Sequence, residues 1–124
     1  MNVKKEFLDF VGNRSIVCAR VSITEDVWDE NFGHEGELIR SYLLRKGYSH
    51  KDFITFVDNL DFDYDNGYGL QELFGVIWFT DGTWATRGEY DGSEWWRHHE
   101  LPDIDEELLT ENGIYFEIRE EVYG

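Results

Sequence analysis

A single cysteine, Cys18, leaves this chain no partner for an internal disulfide, so it cannot be a small cross-linked secreted scaffold. It stands in an apolar run with nothing adjacent to lower its pKa, which marks it as a small hydrophobe more than a reactive thiol. One proline, Pro102, and no Ser/Gly/Pro-rich stretch exclude a linker between domains. No apolar run approaches the roughly 20 residues that span a bilayer. The N-terminus leads into an amphipathic segment, not a signal-peptide hydrophobic region, so a reducing cytoplasm is the expected location. Bases are scarce: 11 Lys and Arg stand against 27 Asp and Glu, a formal net charge of -16. Such a chain lacks the cations with which nucleic acids and anionic membranes are bound, and a basic protein surface is the natural partner. The same charge also serves plain solubility.

What is present is enough to fold. Aromatics reach 17% and hydrophobic residues 41% of 124 residues, which predicts one core and a single domain over residues 1–124. The acidity is uneven. Residues 1–24 sum to +2, 25–57 to -3, 58–99 to -7 and 100–124 to -8.

Phe7, Phe10 and Val11 recur at helical spacing and predict a helix ending at Gly12. Ser15 to Thr24 reads as a strand. Leu38, Ile39, Tyr42, Leu43 and Leu44 fall on helical positions before Gly47, and Ser49 with Asp52 makes a capping box for a second helix. Together these two segments predict a helical hairpin. Three strands then follow around two Asp-Gly turns: Leu73 to Thr80, Thr83 to Tyr90 and Ser93 to His99. Two-residue turns at both places put Trp78 opposite Ala85 and His98, Val76 opposite Arg87 and Trp96, and Phe74 opposite Glu89 and Glu94. Asp103 to Leu109 predicts a short acidic helix and Ile114 to Ile118 a last strand. The expected class is α+β: an antiparallel β-meander sheet with a helical hairpin packed on one face.

Two constellations carry possible chemistry. Asp58, Asp61, Asp63, Asp65 and Glu72 form a stretch without a base. Counted from Asp61, carboxylates fall at positions 1, 3, 5 and 12 of a calcium loop, although Gly67 stands at position 7 where position 6 is required. Calcium held by Asp61, Asp63, Asp65 and Glu72 is thus one expectation, and an Asx-rich acidic turn with Phe62 and Tyr64 packed inward is the other. In the second constellation, Glu89 and Glu94 are paired across the meander beside Tyr90, Asp91, Trp95 and Trp96. Like charges at that position repel, and Arg87, a cation or a basic partner must offset them. Two carboxylates near a tryptophan pair also suggest carbohydrate binding or glycoside cleavage. A hairpin fixed by its turns, with Trp95 covering glycine and Arg87 stacked on Trp96, needs no ligand at all. His98 and His99 point to opposite faces of a strand and cannot share a metal. No phosphate loop, nucleophile elbow or Cys/His pair occurs, so a non-enzymatic protein is expected.

The run Asp65-Asn66-Gly67-Tyr68-Gly69, Asp81-Gly82-Thr83-Trp84 and Arg87-Gly88-Glu89-Tyr90-Asp91-Gly92-Ser93-Glu94-Trp95-Trp96, with Pro102 beyond it, resembles a pattern in small uncharacterised acidic proteins of tailed bacteriophages. The likeness spans about residues 58 to 104, and Asp103-Ile104-Asp105 departs from the Glu and Ile-Pro usual after that proline. It implies a phage origin and action in the host cytoplasm, and no reaction. By analogy it also suggests a DNA mimic that inhibits a host nucleic-acid-binding, nuclease or defence protein. The expected binding residues are Asp58, Asp61, Asp63, Asp65, Glu72, Glu89, Tyr90, Asp91, Glu94, Trp95 and Trp96.

Overall fold

A computed structural model describes residues 1–29, 31, 33–64, 71–109 and 113–114, with only the backbone described at 26–29, 34, 35, 37 and 107. Helix α1 (Val3–Val11) is followed by strands β1 (Ile16–Asp29) and β2 (Gly33–Leu44), helix α2 (His50–Asn59), strands β3 (Leu73–Phe79), β4 (Trp84–Tyr90) and β5 (Ser93–His99), and a 3-10 turn, η1 (Glu106–Leu109). The strands form one antiparallel sheet in the order β2-β1-β3-β4-β5. The class is α+β, and no helix among the described residues is long and apolar enough to cross a membrane.

Local chemistry sets the ends of the helices. Asn2 caps α1 by accepting from the Lys5 amide, and Gly12, at φ 55°, lets the chain leave that helix. Ser49 and Asp52 form the reciprocal capping box expected for α2. Each helix gives an apolar stripe to a single buried cluster: Val3, Phe7 and Val11 from α1, Phe56 and Val57 from α2. Phe7 meets Phe56 edge-on at 5.5 Å and Trp96 at 6.0 Å.

The expected helix over Glu37 to Lys46 does not form, and with it goes the helical hairpin. This segment as far as Leu44 lies in β2, which pairs with β1 from Ala19↔Leu44 to Asp29↔Gly33 with one bulge at Val27/Trp28. A short apolar run satisfies both periodicities, and long-range pairing decides between them. Tyr42 and Leu44 turn inward, with Tyr42 against Phe62 at 5.7 Å, while Ile39 and Leu43 are exposed.

The meander is present, with one correction. β4 and β5 pair as the two-residue turn at Asp91-Gly92 requires, from Trp84↔His99 to Tyr90↔Ser93, and both turn residues have positive φ, 52° and 86°. The first turn is longer. Phe79 and Gly82 are joined by a backbone hydrogen bond, Phe79 also bonds Thr83, and the pairs are Val76↔Thr86, Ile77↔Ala85 and Trp78↔Trp84. A three-residue loop, Thr80-Asp81-Gly82, replaces the expected two, and Gly82 takes the left-handed position at its end. Asp81 fixes this loop by accepting from the Thr83 hydroxyl and amide, which hold its carboxyl below the usual range.

That slip of one residue exchanges the two faces of β3 relative to β4 and β5. Leu73, Ile77 and Phe79 now join Ala85 and Trp96 in the core, and Phe74, Trp78 and Trp95 lie outside. The expected acidic helix over Asp103 to Leu109 is reduced to the turn η1. The expected strand from Ile114 to Ile118 lies outside the described residues beyond Ile114, which is exposed.

Candidate binding surfaces and a buried charge network

Glu94 does not belong to a surface. Its side chain is 1% exposed, and its two oxygens accept from the backbone amides of Glu72 and Leu73, each at 3.0 Å. It thereby anchors the start of β3 from two strands away. Arg87, also 1% exposed, places Nη2 3.8 Å from Glu94 and 2.7 Å from the Tyr64 hydroxyl, while Nη1 donates to Glu6 on α1. Tyr64 in turn donates to the other Glu6 oxygen at 2.7 Å. Burial, followed by that bond to Glu6, pushes the Tyr64 phenol well above its ordinary pKa. The Arg87 guanidinium lies 5.1 Å from the Trp96 ring centre and 5.5 Å from that of Tyr64.

This network answers the repulsion expected between Glu89 and Glu94, which do stand opposite each other. Arg87 and two amides take up Glu94, and Glu89 turns to solvent to accept from Gly92 at 2.8 Å. Trp96 is a core residue as well, 6% exposed and packed on Phe7 and Phe10. Two calls from the sequence, Glu94 and Trp96 as binding residues, are thus corrected: both are oriented inward because the β4–β5 register puts them on the face that α1 covers. Among the described residues neither Arg87 Nε nor Trp96 Nε1 finds an acceptor, which subtracts from what the cluster contributes.

The acidic stretch after α2 is tied to the N-terminus. Lys4 pairs with Asp58 at 2.8 Å, and the Asn2 side-chain amide donates to Asp61 at 2.9 Å. Asn2 and Asp63 form an isolated bridge, and backbone bonds join Val3 to Phe62 and Met1 to Tyr64. Phe62 and Tyr64 pack inward while Asp58, Asp61 and Asp63 are exposed, as the acidic-turn reading expects. Asp65 lies outside the described residues. The segment after Glu72 is strand β3 where a calcium hand has a helix, and no metal-holding group occurs among the described residues. At the other end of the sheet, Tyr90 is 77% exposed beside Glu89 and Asp91 on the β4–β5 turn.

The outward face of the sheet was not legible in the sequence as a surface. Following the register, one row holds Cys18, Trp78, Trp84 and His99, and the next Leu43, Arg20, Val76, Thr86 and Arg97. A third holds Ser41, Ser22, Phe74, Gly88 and Trp95, and the margin holds Ile39, Thr24, Glu72, Tyr90 and Ser93, with Asp26 and Glu37 paired beyond it on β1 and β2. At the chain's frequency of 27 Asp and Glu in 124 residues, about three of the fourteen positions in the first three rows would be acidic; none is. Arg20 and Arg97 are exposed there with no ion pair among the described residues. The Trp95 ring lies over the opposite glycine, its Cε2 3.0 Å from where a Gly88 Cβ would stand. Trp78 is 46% and Trp95 40% exposed, and His99 stacks on Trp84 at 5.7 Å.

The fold and these surfaces define a small α+β protein whose titratable core is internally paired and whose carboxylates are kept off the central rows of one sheet face. No family model matches the chain, and no curated protein and no solved structure matches it either.

Proposed function

We propose that this is a non-enzymatic, phage-type acidic binding protein that engages a basic surface of a host nucleic-acid-binding or defence protein, in the manner of a DNA mimic. The observation that carries the proposal is the segregation of charge. Carboxylates are missing from the three central rows of the open face and stand exposed elsewhere, at Asp58, Asp61 and Asp63 beyond α2 and at Glu89 and Asp91 on the hairpin tip. These groups sit on backbone that is pinned by pairing, so they meet a partner without first being ordered, and ordering is the main cost of a flexible acidic tail. Lys4 pairs directly with Asp58 and is also attracted by Asp61. Arg and Lys clusters that bind phosphates accept fixed carboxylates by the same Coulomb attraction. Tyr90 supplies an exposed aromatic contact at the margin.

The test is affinity capture from bacterial lysate at low and high salt, using the wild type and the triple charge reversal Asp58→Lys, Asp61→Lys and Asp63→Lys. A basic protein recovered at low salt by the wild type and lost with the reversal is expected. Recovery indifferent to the reversal would remove these carboxylates from the interface.

A further inference from the structure

We propose that the free edge of β2 pairs antiparallel with the same edge of a second copy of the chain, giving a two-fold dimer with Ser41 on its axis. The inference does not rest on the proposed function. β2 is the outer strand of the sheet, and among the described residues no other backbone pairs with its far side. Which groups it presents there follows from β1. The Thr24 amide donates to the Glu72 carbonyl, so Thr24 turns its backbone groups toward β3 and exchanges no hydrogen bonds with Ile39, its neighbour on β2. By alternation, the N–H and C=O groups of Ile39, Ser41 and Leu43 point to the open edge. Leu38, Ile39, Arg40 and Ser41 are all exposed although they alternate between faces, as residues of an uncovered edge are.

The usual protections of an edge are missing. From Glu37 to Leu44 the strand holds no proline and no lysine, and the bulge in its pairing lies farther back, opposite Val27 and Trp28. Leu38, Ile39 and Leu43 are 49%, 63% and 44% exposed. A second copy is the occupant because the strand complements itself. Edge-directed residues pair only with one another, so a two-fold axis must fall on a residue and not between two. An axis on Arg40 sets two guanidiniums opposite each other, and one on Tyr42 sets Ile39 opposite Arg45. An axis on Ser41 places Ile39 opposite the second copy's Leu43 and Leu38 opposite its Leu44. Arg45, exposed and without an ion pair among the described residues, then comes opposite position 37, a glutamate in the sequence. About six backbone hydrogen bonds form across the axis. There is room for the added strand: a cleft of about 460 Å³ is lined by β2 from Ser41 to Leu44 and by Thr55, Phe56 and Asn59 of α2, and it takes the second copy's Leu38 and Arg40.

The test is the mass of the full chain by sedimentation equilibrium, from micromolar to millimolar concentration, joined to disulfide trapping that reads the register. Physiological salt is used, because two chains of net charge -16 repel and charges more than about 8 Å apart are screened there. A mass of twice 14.7 kDa is expected as concentration rises. Ile39→Lys removes an exposed apolar contact twice per dimer, so it should weaken association at least about tenfold with an unchanged melting temperature. For trapping, Cys18 is replaced by serine and single cysteines are placed on the edge. Ser41→Cys should link readily, since Cα atoms about 5.5 Å apart across the axis suit a disulfide. Ile39→Cys alone should not link, its two copies standing about 14 Å apart along the strands, but should link when mixed with Leu43→Cys. A single-copy mass at millimolar concentration would overturn the proposal and leave the edge to a foreign strand. A dimer indifferent to Ile39→Lys, or one in which Ile39→Cys alone links as fast as Ser41→Cys, would overturn it as well.

Discussion

Arg87→Met replaces the cation that, among the described residues, holds both core carboxylates with an apolar side chain of similar reach, and leaves Glu6 and Glu94 without their shared counter-ion. Side-chain exposures of 1% for Arg87, 9% for Glu6 and 1% for Glu94 mean that solvent cannot take over the arginine's role. Breaking a buried ion pair by removing one partner costs about 3–5 kcal/mol, chiefly because the other charge stays buried and uncompensated. That is a large part of the 5–15 kcal/mol typical of a whole domain. Two features adjust the figure. Glu94 keeps two backbone amides, which hold it at the lower end, and the guanidinium also leaves the faces of Trp96 and Tyr64. The expected loss is about 3–4 kcal/mol at pH 7, read by urea denaturation with tryptophan fluorescence as the signal. Adding Glu6→Gln should restore part of it, because the amide needs no counter-ion, and the coupling from the double-mutant cycle should exceed about 1 kcal/mol. A loss under about 1 kcal/mol for Arg87→Met, or strict additivity with Glu6→Gln, would refute the argument that this cation holds the core carboxylates.

Other outcomes follow from the same geometry. Because the Tyr64 pKa is raised in the fold, its stabilisation is complete below the ordinary value of 10.0 and is lost as pH rises beyond it. Urea midpoints at pH 8 and 11 should therefore fall further in the wild type than in Tyr64→Phe, and equal falls would count against a buried, bonded phenol. Gly75→Ala drives a Cβ to 2.6 Å from Trp96 Cη2 and 2.8 Å from the Arg20 carbonyl. It should cost about 1–3 kcal/mol by overpacking, more than Gly88→Ala, whose closest neighbours are methylenes of the exposed, flexible Arg97 side chain. Calorimetry orders the two, and the reverse order would contradict the packing of Trp96. Ser49→Ala removes the acceptor for the Asp52 amide and should cost about 1 kcal/mol, within a range of 0.5–2. No change in thermal midpoint would show that the α2 cap is dispensable.

Elements governed by local chemistry were readable from the sequence. The Asp91-Gly92 turn, the whole of β5 and the Ser49 cap depend on two to four adjacent residues, and each stands where its chemistry puts it. β2 was not readable, because Leu38 to Leu44 fits a helix as well as a strand and its pairing with β1 is a long-range fact. One extra loop residue, Thr80, was enough to exchange the face that each aromatic of β3 shares with β4 and β5. The charge network was hidden for the same reason. Glu94 reads as half of an exposed acidic pair until the amides of Glu72 and Leu73 and the guanidinium of Arg87 are brought to it, and Glu6 lies 81 residues from Arg87. The acid-free rows of the outward face could be drawn only after the register was known.

The central claim, that fixed carboxylates stand in for phosphates, is tested most directly by competition. A basic protein captured on the immobilised wild type would be challenged with duplex DNA at constant ionic strength and its release followed. The account predicts release by duplex DNA and no retention at all on the Asp58→Lys, Asp61→Lys, Asp63→Lys variant. A partner that stays bound with DNA in excess, or that binds the reversed variant equally well, would contradict mimicry.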